Sequence, residues 1–223
     1  MMVANAVLDR PYRPYRAALK LRSSARDDYS AHIAHRAFAR MMRPGDVVIE
    51  YGCADGHHLE QQKAGRKIGV EPNPVLRRSA HAVGFPIYAS MAEIGPETAD
   101  LVVSTYDLNY AGQPLGLLQQ FNDKLTPGGH ALLILCDESH GLTEDAEIQD
   151  EESAHWTAAD APRLLRAAGF EIVAQHVLPW RRIPLHRVVA AIFGWSAVCH
   201  LARFFHYMYP GERPVAILAR KIA

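Results

Sequence analysis

Cysteine is scarce in this chain of 223 residues: Cys53, Cys136 and Cys199 are odd in number and widely spaced. No Cys-x-x-Cys pair occurs, which argues against a zinc knuckle or a disulfide framework. Thiols used in this way behave as small hydrophobes and suit a reducing, cytoplasmic setting. An excess of either charge is also missing, because 24 Lys and Arg offset 24 Asp and Glu. Nothing global therefore favours nucleic acid, whose binding draws on clustered cations. Local basic clusters (Arg10, Arg13, Arg16, Lys20, Arg22, Arg26; then Arg181, Arg182, Arg187) read as solvated faces and termini. The apolar run Val188 to Cys199 falls short of the roughly 20 residues that a bilayer span requires. Met1 to Arg10 has no long apolar region behind basic residues, so no signal peptide is expected. No repeat, low-complexity tract or compact His/Asp/Glu triad is visible, and no metal is expected.

Two phosphate-binding loops are absent as well. No Gly-x-x-x-x-Gly-Lys-Ser/Thr occurs, and a Gly-x-Gly-x-x-Gly starting at Gly52 fails at Ala54 and His57. What stands there is Asp46-Val47-Val48-Ile49-Glu50-Tyr51-Gly52-Cys53-Ala54-Asp55-Gly56. A β-branched run suited to a buried parallel strand ends in a carboxylate and enters a Gly-x-x-x-Gly turn. Glu50 and Asp55 would repel phosphate, so the turn suits a ligand carrying positive charge and hydroxyls. A short helix over His57–Lys63 and a second strand over Arg66–Asn73 follow. Glu71 near that strand's end lies about 20 residues past the turn, where ribose hydroxyls are gripped in nucleotide-type sites. A carboxylate can accept both hydrogen bonds of a 2′,3′-diol.

The alternation continues with a helix over Val75–Val83, a third strand over Pro86–Ala89 and a fourth over Ala99–Thr105. Leu117–Leu125 has helical spacing, Thr126-Pro127-Gly128-Gly129 reads as a turn, and His130–Leu135 as the fifth strand. Leu164 to Val173 contains a helix ending at Ala-Gly-Phe before another strand. Strands alternating with helices imply a parallel sheet covered on both faces. In order and spacing, the glycine turn, the Glu71 strand end, the Thr-Pro-Gly-Gly turn and the Ala-Gly-Phe element resemble class I S-adenosylmethionine-dependent methyltransferases over residues 44–175.

That resemblance implies a three-layer α/β fold, doubly wound, with a mostly parallel seven-stranded sheet of order 3-2-1-4-5-7-6. Glu171–Pro179 would be the sixth strand and Val215–Lys221 the antiparallel seventh. It implies S-adenosyl-L-methionine as cofactor, leaving as S-adenosyl-L-homocysteine. Glu50, Gly52, Ala54 and Gly56 would surround its methionine portion, Glu71 would hold the ribose, and Pro72 or Asn73 would flank the adenine. Ser90 and Met91 stand where the family often has an acidic contact to the adenine amine. Thr105, Tyr106 and Asp107 would line the sulfonium site, and Tyr29 would be a lid contact to the methionine carboxylate.

The whole chain reads as one methyltransferase domain: an arm and helix over 1–43, a cofactor core over 44–179, a helical insertion over 180–210 and a last strand over 211–223. The acidic stretch Asp137–His155 follows the fifth strand, which puts it over the carboxyl edge of the sheet, where such folds bind ligands. Methyl transfer by in-line displacement needs alignment and dehydration, and a base only for a hydroxyl or protonated amine. Among 12 histidines, His140 and His155 in that stretch are the candidate bases, with Asp107 as a further catalytic candidate. The acceptor is expected to be a small molecule or glycan, methylated on oxygen rather than nitrogen. No Asn/Asp-Pro-Pro-Tyr/Phe follows the fourth strand, which argues against adenine and glutamine N-methylation. The alternatives are a non-catalytic scaffold that keeps the fold, or another use of the sulfonium cofactor. The 180–210 insertion packs against its own domain or a homodimer partner in the preferred reading; peripheral membrane contact is the other.

Overall fold

The computed structural model describes residues 41–60, 62–79, 84–105, 107–135, 159–178 and 215–222, with 188–189, 191–194, 197–198 and 200–201. The N-terminal arm with Tyr29, the acidic stretch with His140 and His155, Tyr106 and most of 180–210 lie outside the described residues.

Seven strands form one sheet: β1 Val47–Tyr51, β2 Arg66–Val70, β3 Ile87–Tyr88, β4 Ala99–Thr105, β5 Leu125–Leu135, β6 Phe170–Val177 and β7 Val215–Lys221. Their order is β3-β2-β1-β4-β5-β7-β6. β1 to β5 pair in parallel, and β7 runs antiparallel between β5 and β6. The described helices are α1 His57–Glu60, α2 Pro74–Ser79, α3 Pro114–Lys124 and α4 Ala161–Ala167, with 3-10 turns at Met91–Glu93 and Asp107–Tyr110. The chain winds outward from β1 through β2 and β3, then returns to β4 on the other side of β1. That reversal opens a crevice at the carboxyl ends of β1 and β4, the place where doubly wound sheets take ligands.

Alternate residues of the buried strands serve opposite faces. On one face Ile49, Val102, Leu133 and Ile217 pack with Leu118 and Phe121 of α3 and Leu165 of α4. On the other, Val48, Leu101, Val103, Leu132 and Ile134 pack with Leu59 of α1, while Met41 and Met42 sit partly buried against them.

Several element ends differ from the sequence expectation, each for a local reason. The expected third strand is cut to Ile87–Tyr88, because the Ala89 and Ser90 amides turn to the Glu93 carboxylate, at 2.9 and 3.0 Å, instead of a neighbouring strand. α1 ends at Glu60 rather than Lys63, since the chain must return for the Gly65 and Arg66 amides to reach the Asp46 carbonyl. α2 starts at Pro74, where fixed φ suits a first helical position, and Asn73 Oδ1 accepts from the Val75 amide at 2.9 Å. The Thr126–Gly129 turn is absorbed into β5 as an irregularity, because β4 pairs Ala99 with Leu125 but Leu101 with His130.

Polar groups at the amino edge of the sheet are paired within the fold. Asp100 Oδ2 accepts from the Val47 amide at 2.8 Å, Thr126 Oγ1 donates to the Ala99 carbonyl at 3.2 Å, and Lys221 Nζ donates to the Leu125 carbonyl at 2.8 Å. His130 stands on β5 opposite Arg220 of β7, which is ion-paired with Glu171 of β6. Burial, then Arg220 and Arg43, hold its imidazole below the ordinary 6.5, with Asp46 opposing. The sign follows from linkage. Below the unfolded value the unfolded chain binds a proton that the folded one refuses, so stability falls as pH drops through 6.5 towards the lower folded value. Melting temperature is expected to decline from pH 7.5 to pH 5, and His130→Gln to flatten part of that decline. An unchanged slope in the variant would remove His130 as its source.

Candidate functional site

The site begins where β1 runs out. Glu50 is buried near the end of the strand, and the backbone then turns through Gly52, Ala54 and Gly56, with φ of 75, 51 and 77°. Gly52 and Cys53 both donate to the Val70 carbonyl, at 2.8 and 3.2 Å, which pins the turn to the end of β2. Ala54 is the strained member, since left-handed backbone costs an L-residue about 1–2 kcal/mol. Its amide donates to Glu71 Oε2 at 2.8 Å, and the Asn73 amide to Glu71 Oε1 at 2.8 Å. The Glu71 carboxylate, 2% exposed, thereby ties the glycine turn to the segment after β2.

A second carboxylate arrives from β4. Asp107 opens the 3-10 turn after Thr105 and lies against the bare Cα of Gly52; a Cβ built there would sit 2.0 Å from the Asp107 Cγ and Oδ2. Only glycine admits this approach, apart from its positive φ. Cys53 lies amid the acids. Burial pushes its thiol well above the ordinary range, and Glu50, Glu71 and Asp107 push it further. Its Sγ would lie 2.7 Å from a Cβ on Gly69, so β2 needs glycine there to seat the thiol. Cys53 is therefore a neutral packing group at this site, as its sequence context suggested.

Glu50, Glu71 and Asp107 thus meet round one turn, from the ends of three different strands. The edge differs from the amino edge in a second way. Ser104 Oγ and Thr105 Oγ1, both buried, have no hydrogen-bond partner among the described residues. Leaving a buried hydroxyl unpaired costs about 1–3 kcal/mol, a cost that a ligand can relieve. Such an acid-lined, glycine-floored crevice with open hydroxyls suits a cationic ligand bearing a diol, and repels phosphate.

The other expected residues are placed unevenly. Gly56 is buried in the turn and Pro72 is exposed just beyond Glu71. Ser90 Oγ accepts from the Ala92 amide at 3.2 Å and forms a capping box with Glu93, so its side chain is engaged in holding the Met91–Glu93 turn. Met91 is 1% exposed and packs in the hydrophobic core. Tyr29, Tyr106, His140 and His155 lie outside the described residues. Ser104 was not anticipated as a site residue. Its signal was a lone hydroxyl in an apolar strand, visible only once the strand end was known to reach the crevice. Beyond the 107–110 turn, Gly112, Gln113, Pro114, Leu115, Gly116 and Gln119 line an open cleft of about 430 Å³ at the start of α3.

A family profile described as a methyltransferase domain matches residues 21–175, and the chain belongs to that family, the class I S-adenosylmethionine-dependent methyltransferases. The chain is similar to the protein solved in complex with the Trm112 methyltransferase activator of Haloferax volcanii, at 19% identity over 92% of this chain and 96% of that one, with a TM-score of 0.68. It is similar to an S-adenosylmethionine-dependent methyltransferase of Archaeoglobus fulgidus, at 14% identity over 92% and 99% of the two chains, with a TM-score of 0.64. Phosphoethanolamine N-methyltransferase 2 of Haemonchus contortus, solved with S-adenosyl-L-methionine, is 15% identical over 82% of this chain and 50% of its own, with a TM-score of 0.59. At these identities the likeness is one of fold. No curated protein sequence matches the chain.

Proposed function

We propose that this chain methylates a small-molecule or glycan acceptor, with oxygen the favoured atom, using S-adenosyl-L-methionine. The observation that carries the reading is the convergence of Glu50, Glu71 and Asp107 on the 52–56 turn. Three carboxylates around a glycine floor fit a ligand whose sulfonium and ammonium are positive and whose ribose is a diol. The bound cofactor supplies an electrophilic methyl already activated by its sulfonium. In this reading Glu71 takes the ribose hydroxyls, Gly52, Ala54 and Gly56 admit the methionine portion, and Glu50 acts near its ammonium. Thr105 and Asp107 line the sulfonium end. The contact between Asp107 and Gly52 makes it a cofactor residue first, and leaves proton removal to His140 or His155 after β5. Pro72 would flank the adenine and Tyr29 would close over the methionine carboxylate. Ser90 contributes by shaping the turn, with Met91 beneath it.

The cleft at the head of α3 supports the acceptor class. Gln113 and Gln119 offer amide donors and acceptors to hydroxyls, while Leu115 and Pro114 offer apolar surface to a ring face. Residues 44–179 form the catalytic core of the reading, with 180–210 as an added element. The Haloferax protein was solved with a protein activator, so a partner is the first remedy if the chain alone is silent.

The test is calorimetric titration with S-adenosyl-L-methionine and S-adenosyl-L-homocysteine, then labelled methyl transfer to a panel of hydroxylated acceptors. Micromolar binding and formation of S-adenosyl-L-homocysteine are expected. A folded protein that binds neither ligand points to the scaffold reading; binding without S-adenosyl-L-homocysteine formation points to another use of the sulfonium.

A further inference from the structure

Among the described residues of the insertion before β7, several apolar side chains lie in solvent. Val198 is fully buried and anchors the segment to the protein, but Val188 is 50%, Ile192 65% and Phe193 70% exposed, with Leu201 also exposed. Ile192 and Phe193 are the most exposed of the large hydrophobics described. Val188 and Ile192 are four residues apart, the helical repeat, and 191–194 is helical, so both belong to one face. Within the single chain Val198 is buried, while Val188, Ile192 and Phe193 are left to solvent or to a partner surface.

The charge pattern says what covers them. Between Glu171 and Glu212 the sequence has no aspartate or glutamate, yet it carries Arg181, Arg182, Arg187 and Arg203. A neutral chain has thus separated its charges, with Glu144, Asp145, Glu147, Asp150, Glu151 and Glu152 gathered in a different stretch. Apolar side chains flanked by arginine and rich in Trp, Phe and Tyr nearby (Trp180, Trp195, Phe204, Tyr207) are the composition of an interfacial anchor. No described helix is long and apolar enough to cross a membrane, so the contact is with a surface.

We infer that the 188–201 segment docks on an anionic lipid surface, its exposed apolar side chains entering the headgroup boundary, with the arginines that flank it in sequence supplying the attraction to lipid phosphate. A second copy of the chain is the poorer occupant, because the sequence from 172 to 211 carries arginines and no acid that a like segment could offer them. Nucleic acid would answer the arginines but gain nothing from Ile192 or Phe193.

The full chain is sedimented with vesicles of pure phosphatidylcholine and with vesicles containing phosphatidylglycerol. Binding to the anionic vesicles alone is expected, weakened by salt. Ile192→Asp/Phe193→Asp is expected to lower that binding at least tenfold. Since both side chains are solvent-exposed, its thermal melt should match the parent, which separates lost docking from lost folding. The inference is overturned by no binding to anionic vesicles, or by equal binding of parent and variant. It is equally overturned if the variant instead dissolves a dimer seen by sedimentation equilibrium, or if the parent prefers duplex RNA to vesicles.

Discussion

Replacing Gly52 with alanine is expected to lower affinity for S-adenosyl-L-methionine by at least about 100-fold, or about 2.8 kcal/mol at 1.4 kcal/mol per tenfold. Two penalties act together. The φ of 75° is left-handed, which costs alanine about 1–2 kcal/mol. The new methyl would also lie 2.0 Å from the Asp107 carboxyl carbon, so the whole 3-10 turn after β4 must move. The two can be separated in a double-mutant cycle. With Asp107→Ala as background the clash is gone, and Gly52→Ala should then cost only the backbone part. Additive effects across the cycle would show that Asp107 and Gly52 do not meet in solution, and would remove Asp107 from the cofactor end of the site.

The second large effect is at Glu71. Its carboxylate accepts from the Ala54 and Asn73 amides while 2% exposed, so Glu71→Ala strands two part-buried donors as well as removing the ribose contact. Hydrogen bonds to a charged group contribute about 1.5–3 kcal/mol each, and a stability loss of about 3 kcal/mol is expected by denaturant titration. Calorimetric heat on adding the cofactor should vanish. Glu71→Gln retains one acceptor oxygen but turns an amide nitrogen towards a backbone donor, so it should recover part of the stability and little of the binding. Full binding by Glu71→Ala in a folded sample would mean that the ribose is held elsewhere.

Much of this site was legible before any coordinates. The run Val47 to Ile49 could only be a buried strand, its exit through Gly52 and Gly56 marked a tight turn, and Glu71 followed at the distance at which a second strand ends. Such local signals depend on backbone preference and on alternation, which neighbouring residues encode. The β7 bounds, Val215–Lys221, came instead from the family resemblance, and the strand has those bounds. Ser90 shows where the reading ran out. A serine at that position offers a hydroxyl to a ligand in principle, but Glu93 three residues on makes it a helix cap, and Met91 beside it turns into the core.

By itself the sequence determined the alternation of strands and helices and the motifs that carry the family resemblance, because these follow from short-range pattern and spacing; the strand order and the carboxylates near the cofactor turn came from that resemblance. Only the tertiary structure decided that Asp107 rests on Gly52, that three acids act on the Cys53 thiol, and that the Ser104 and Thr105 hydroxyls find no partner among the described residues. The approach of Asp107 to Gly52 joins strand ends more than 50 residues apart, set by the parallel register of β1 against β4. The exposure of Ile192 and Phe193 belongs with them, since an apolar run reads the same in sequence whether it faces its own core or the solvent.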